Sequence, residues 1–347
     1  VLTLAAWLHT IDPFLLRISG EFGVRWYGMA YLAGFVCAYA TLLRLAKRGR
    51  IQLSPAQVTD LIFALVVGVV VGGRVGYAVF YKPSLFLTFS SSPPWWGMLA
   101  LNQGGMASHG GMLGAVVAGV WFARRHKILA LHVLDIITLT APFGLFFGRV
   151  ANFINGELLG RIVAQPGEPA PWWTVKFPQE LLTRHAPALS LEQESRLTAL
   201  VDSYRIRPDE NSVVAIDRMI RAVQHGAHDT ARQLAPLLAA RHPSQLYQAF
   251  AEGIVLGASL WFIWRKPRKA GVVGAWFLLL YGALRIVTEF WRLPDDNLRV
   301  QRIWGMSRGQ MLSAVMIVCG IVILTIILRR ENHPVLGGWR KPRSVDA

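Results

Sequence analysis

The chain has 347 residues, of which 53% are hydrophobic and only 16% charged, against roughly a quarter charged in an ordinary soluble domain. Its 36 Lys and Arg exceed 20 Asp and Glu, giving a net charge of +16. In a soluble protein that balance would suggest nucleic acid, but the basic residues are not gathered on a polar domain and no interleaved aromatic pattern accompanies them. A disulfide framework is excluded as well, since the only cysteines, Cys37 and Cys319, lie far apart in apolar runs.

Seven apolar runs approach the roughly 20 residues that a helix needs to cross a bilayer. They fall near 24–45, 58–81, 107–123, 131–153, 244–264, 271–291 and 309–328, the third being glycine-rich in its first half. Basic clusters follow the first, third, fifth and seventh runs, at 44–50, 124–127, 265–269 and 329–343. By the positive-inside bias these mark the inner face, with the N-terminus outside and the C-terminus inside. The expected fold is therefore an all-α polytopic membrane protein: seven transmembrane helices with a small periplasmic head between helices 4 and 5. Its parts are 1–154 (an N-terminal periplasmic segment and helices 1–4), 155–243 (the head, with an extended insertion), 244–330 (helices 5–7) and a cytoplasmic tail, 331–347. Within the head, Leu197, Leu200, Val201 and Tyr204 recur at helical spacing, as do Ile216, Met219, Ile220 and Val223. Ser190 and Asp229 are candidate N-caps.

Ionisable groups inside a span are costly unless they face a polar interior. They are Arg74, His109, Arg149, Glu252, Arg285 and Glu289, with Asn152 and Asn155 beside Arg149; Asp60 and Asp135 fit interfacial or capping positions. At 1.5 Å per residue, Tyr27, Arg74, His109, Arg149, Glu252 and Arg285 fall roughly 20–27 Å above the inner boundary. Six helices thus place polar groups at one depth, near the outer leaflet's headgroups. Tyr281, Arg285 and Glu289 share a helix face at i, i+4, i+8. Rows of small residues, Gly68/Gly72/Gly76 and Gly110/Gly114, allow close helix approach. Two arginines in an outer-leaflet cavity suit a phosphate ester, which a guanidinium fork binds in bidentate fashion.

Each residue also has a plainer reading. An outer-end arginine can snorkel to the interface, His109 can be a satisfied interfacial histidine, Asn152 and Asn155 can cap a helix, and Glu289 can serve only to hold Arg285. A membrane carrier for an anionic lipid or metabolite would use the same arginines, but it needs polar groups along the inner half, where the runs are almost wholly apolar. A lipid phosphatase would need a nucleophile or metal motif, and no His/Cys/Asp cluster with ligand spacing is present.

The motif GRVANFINGELLGR at 148–161 resembles the prolipoprotein diacylglyceryl transferase family of bacteria. So do RWYG (25–28), GGRVGY (72–77), GGMASHGG (104–111), RHPSQLYQAFAEG (241–253), YGALRIVTEFWRLPDD (281–296) and GMSRGQMLS (305–313), in family order across nearly all the spans. The resemblance implies a seven-helix inner-membrane enzyme that moves the diacylglyceryl group of phosphatidylglycerol onto the lipobox cysteine of a prolipoprotein, forming a thioether and releasing glycerol phosphate. It implies Arg149 and Arg285 as essential, with Tyr27, His109, Asn152, Glu157, Gly160, Tyr281 and Glu289 at other functional positions. His109 is the candidate base; Asn155 joins the substrate-binding set. The implied partners are phosphatidylglycerol, prolipoprotein signal peptides bearing a lipobox cysteine, and the lipid bilayer. No cofactor, metal or nucleic acid is expected.

Overall fold

The computed structural model describes residues 6–19, 22–100, 104–293, 302–303 and 306–339. Arg340, Lys341 and Arg343 of the tail, the end of the 281–296 motif and the start of the 305–313 motif lie outside the described residues. Helices α1 (Trp26–Lys47), α2 (Pro55–Phe80), α3 (Ser108–Arg125) and α4 (Ala130–Asn155) come first. The shorter α5 (Leu191–Asp202), α6 (Ser212–Gln224) and α7 (His228–Leu234) follow. Then α8 (Ser244–Gln248) continues through a π-helical turn (Ala249–Val255) into α9 (Leu256–Trp264), and α10 (Val272–Glu289) and α11 (Arg308–Arg329) complete the set. Among the described residues, six helical runs are long and apolar enough to cross a membrane: α1, α2, α4, the continuous Ser244–Trp264 rod, α10 and α11. A helix also forms at the expected third span, but the 18-residue, glycine-rich α3 is not one of these six. The chain is a mostly helical, polytopic membrane protein.

The chain divides into two compact units, each drawn from several segments: 1–34, 144–256 and 280–317 form the first, and 35–143, 257–279 and 318–347 the second. In the first unit, β1 (Trp7–Leu8), β4 (Ile162–Ala164), β5 (Val175–Lys176) and β6 (Ala240–Arg241) make a four-stranded sheet in the order β1-β5-β6-β4. Between β1 and β4 in sequence, β2 (Phe14–Ser19) and β3 (Phe22–Arg25) pair as an antiparallel hairpin. These strands correct the all-α expectation. Those of the four-stranded sheet are two or three residues long, too short for alternation to be read. Pairing across long stretches of chain creates them, as when the Trp7 N–H donates to the Thr174 carbonyl at 3.1 Å.

Beside this sheet, α5, α6 and α7 bury Leu200, Val201, Ala215, Met219, Val223 and Leu234 together, the residues of the helical spacing providing most of the core. Ser190 caps α5 in a reciprocal capping box with Gln193. Asp229 is not an N-cap: α7 begins at His228 after Ala227, and Asp229 sits in its first turn, pairing with Arg232 at the surface. Asn211 caps α6 instead. Beneath the sheet, the fully buried Glu180 and Arg241 form an ion pair at 2.5 Å.

In the second unit, Ser54 and Gln57 form a capping box and Pro55 opens α2 at N1. The two glycine rows meet: a Cβ on Gly72 would strike the Gly110 carbonyl, and one on Gly114 the Gly68 carbonyl. Only hydrogen at these positions lets the backbones of α2 and α3 touch. Asp135 is buried and accepts from the backbone N–H of Gly271 at 2.6 Å and Gly274 at 2.7 Å. It thus caps α10 from a neighbouring helix, satisfying donors that the first turn leaves orphaned. Cys37 and Cys319 are both free thiols.

Candidate active site

The first unit gathers most of the polar groups singled out in the sequence. Arg149 and Asn152 lie one turn apart near the end of α4, which stops at Asn155. Gly156 takes φ +68° there. Its N–H bonds the Phe153 carbonyl while the Glu157 N–H bonds the Asn152 carbonyl, both at 3.0 Å, the Schellman arrangement that ends a helix on a glycine. The Asn-Gly-Glu stretch is therefore a helix stop, and Asn155 turns back to donate to Glu157 Oε1 at 2.9 Å.

Beyond that stop, residues 157–161 are stitched on two sides. The Arg161 N–H donates to Trp291 O and the Leu293 N–H to Leu159 O, tying the segment to the end of α10. The His242 N–H donates to Arg161 O, Arg241 Nη1 to Gly160 O, and Ser244 Oγ to Leu158 O, tying it to the start of α8. Gly160 sits at the centre of this stitch, buried, where any Cβ would collide with the His242 carbonyl. Three sequence motifs are thereby fixed in register: the one ending α4, the one opening α8 and the one closing α10.

The charged side chains that these elements carry converge. Arg149 Nε lies 2.9 Å from Glu252 Oε2, and Arg285 Nη1 lies 3.7 Å from Glu252 Oε1. Arg285 Nη2 pairs with Glu289 Oε2 at 3.0 Å, and Arg292 Nη1 stands 3.9 Å from the same oxygen. Ser307, just before α11, donates its hydroxyl to Glu289 Oε1 at 3.1 Å. Tyr281 is within hydrogen-bonding reach of Arg149. Tyr27, half-buried at the start of α1 with its ring 5.2 Å from that of Tyr31, lies within the electrostatic reach of Arg149 and Glu157. The guanidiniums of Arg149, Arg285 and Arg292 thus stand against the carboxylates of Glu252 and Glu289 in a largely buried site.

The site expected from sequence does not include Glu252, Arg292 or Ser307, although Glu252 is conspicuous there as a carboxylate in an apolar run. Arg74 and His109 belong to the second unit. Arg74 is buried and gives all its donors to backbone: Nε to Met98 O, Nη1 to Gly104 O and Gly105 O, Nη2 to Gly97 O and Ala100 O. It anchors a loop and does not snorkel. His109 stands in the first turn of α3, exposed.

The sequence model of prolipoprotein diacylglyceryl transferases matches residues 13–326. The chain belongs to the prolipoprotein diacylglyceryl transferase family. A phosphatidylglycerol–prolipoprotein diacylglyceryl transferase of Bdellovibrio bacteriovorus is 43% identical, over 97% of this chain and 98% of its own length. Transferases of that name from Xylella fastidiosa and Proteus mirabilis are 37% and 36% identical, covering 95% and 93% of this chain and 96% and 94% of theirs. Within this diacylglyceryl transferase, then, the array of arginines and carboxylates is the feature whose chemistry needs explaining.

Proposed function

We propose that this chain transfers the diacylglyceryl group of phosphatidylglycerol to the lipobox cysteine of a prolipoprotein. The supporting observation is the convergence of Arg149 and Arg285 in a largely buried array, where two guanidinium forks offer charge-assisted contacts suited to a phosphodiester. In a site of low dielectric constant such charge-assisted contacts are far stronger than in water. The cysteine sulfur attacks the glyceryl carbon bonded to phosphate. A C–S bond forms, the C–O bond breaks, and its electron pair leaves on the phosphate of glycerol phosphate. Arg149 and Arg285 stabilise the charge that builds on that oxygen. His109 takes the thiol proton as general base. Tyr27, Asn152 and Tyr281 orient the headgroup, Asn155, Glu157 and Gly160 shape its outer surroundings, and Glu289 holds Arg285. Displacement at carbon leaves no acyl-enzyme.

The topology that suits this chemistry has α3 as a seventh span. The basic clusters then lie in the cytoplasm, and the head and the N-terminus in the periplasm, of a bacterial inner membrane. Incubating the purified chain with labelled phosphatidylglycerol and a lipobox peptide tests the reading. Thioether-linked peptide is the expected product; phosphate release with unmodified peptide would indicate hydrolysis, and lipid binding with no turnover would indicate carriage. His109→Gln should lose most of the rate near neutral pH. A rate and pH profile equal to the parent's would remove His109 as base and leave the arginines to favour the thiolate.

A further inference from the structure

Two glutamines stand on the helical rod that carries Glu252. Gln245, Gln248 and Glu252 follow one another at i, i+3 and i+7, a spacing that keeps them on one side of a helix, and all three are fully buried. Both ends of this stripe are tied to the site. Glu252 hydrogen-bonds Arg149 and stands 3.7 Å from Arg285 Nη1, while Gln245 Nε2 donates to the Glu157 carbonyl. Gln248, between them, has its Nε2 and its Oε1 both buried without a hydrogen-bond partner among the described residues. Gln245 Oε1 and Asn155 Oδ1 are buried without a partner in the same way. The direction of these two oxygens is fixed, because the nitrogen of each amide is already engaged, by the Glu157 carbonyl and by Glu157 Oε1.

A buried amide with neither atom paired is rare and costly, and calls for a partner. The chemistry of that partner follows from what each atom needs. Three amide oxygens need donors, so a phosphodiester, which only accepts, cannot satisfy them. One amide nitrogen needs an acceptor, which an ammonium lacks. A hydroxyl does both; water shares that property and is the alternative the test separates. Gln248 lies four residues from Glu252, about 6 Å along the helix axis. The free hydroxyls of phosphatidylglycerol, on the second and third carbons beyond the phosphate ester oxygen, have a comparable reach. Resting on the transferase reading, we infer that Gln248, with Gln245 and Asn155, forms the subsite for the headgroup hydroxyls of phosphatidylglycerol and so sets which phospholipid is used. The arginines take the phosphate, which all phospholipids share; the amides take the hydroxyls, which they do not.

The test compares phosphatidylglycerol with phosphatidylethanol, which keeps the monoanionic phosphodiester but has no headgroup hydroxyl, as donors to a lipobox peptide with the purified full chain. The parent should favour phosphatidylglycerol in kcat/KM by about 10²-fold or more, since a site built to hydrogen-bond a hydroxyl rejects the analogue lacking it. Gln248→Met, of similar length but unable to make these bonds, should cut that preference by about tenfold or more by slowing transfer from phosphatidylglycerol. Gln248→Asn keeps the amide but draws it back by one methylene, and should cut the preference as well. Equal losses with both lipids in Gln248→Met, the pattern of a glutamine that only packs or binds water, overturn the inference. So does a raised KM for the peptide with the lipid preference intact, which would set the amides against the peptide. A parent that transfers equally from both lipids overturns it before any variant is made. Should Gln248→Met fail to fold, the asparagine variant decides: a reduced preference supports the inference and a parent-like preference overturns it. A parent that lipidates no peptide from either lipid refutes the transferase reading itself, a result distinct from an active parent whose preference survives in the variants.

Discussion

Arg74 and Arg285 are buried and Arg149 is half-buried, all on apolar helices, but their surroundings differ in kind. Arg74 donates all five of its N–H groups to backbone carbonyls of residues 97–105. Its donors are spent on neutral acceptors, so it organises a loop and has nothing left for a ligand. Arg149 and Arg285 instead face Glu252, and Arg285 also faces Glu289. These contacts set charge and direction, and Arg285 Nη1 makes no hydrogen bond among the described residues. An ionisable group within a span is a functional candidate by default, but the nature of its partners separates the two roles. Carbonyls that saturate the fork signal architecture; carboxylates that leave donors over signal a binding site.

The strongest way to break this contrast is to replace each fork by an ammonium. Arg285→Lys keeps the charge and the pairing to Glu289 but loses the planar, bidentate geometry. Transfer to a lipobox peptide should fall by about 10²–10³-fold, the range for losing a transition-state donor, with the thermal unfolding profile unchanged. Activity close to the parent's would remove the bidentate phosphate role. Arg74→Lys should do the reverse. An ammonium offers three donors where five are used, and buried carbonyls left unsatisfied cost about 1–3 kcal/mol each. A stability loss of about 3 kcal/mol is expected, with transfer per folded molecule retained. Loss of transfer without loss of stability would place Arg74 among the catalytic groups and undo the distinction.

The sequence disclosed those parts of the molecule that depend on local periodicity. Apolar runs located the helices, the spacing of Gly68, Gly72 and Gly76 against Gly110 and Gly114 anticipated where two backbones touch, and the i, i+4 spacing of Arg285 and Glu289 anticipated their ion pair. What stayed hidden depends on contacts between distant segments. Two-residue strands such as β5 and β6 exist only because their partners align them. Glu252 could be placed by depth, but its phase cannot be read from a 3.6-residue period, because the π turn that carries it breaks that period. Gly160 could be matched to a family position, while its physical necessity, the His242 carbonyl against its Cα, is visible only in the fold.

The N-terminal segment sharpens the comparison with a third solution to burying an ionisable group, which is to discharge it. His9 is fully buried, with its ring 5.2 Å from Phe177 and 5.6 Å from both Trp7 and Phe153. Burial pushes its pKa down from 6.5 to about 4, so the folded protein holds it neutral across the range where an unfolded chain would protonate it. Below pH 6.5 the unfolded state binds the extra proton, and stability is lost progressively until the folded-state value near 4 is passed. At 1.36 kcal/mol per pKa unit the loss amounts to about 3 kcal/mol over that window. It should be read as a fall in the unfolding free energy of the purified chain between pH 7 and pH 4. His9→Phe, which leaves an aromatic ring among aromatic neighbours, should flatten this part of the profile. If His9→Phe leaves the slope intact, the acid sensitivity belongs to carboxylates elsewhere, and the imidazole is buried without being a proton-linked element of the fold.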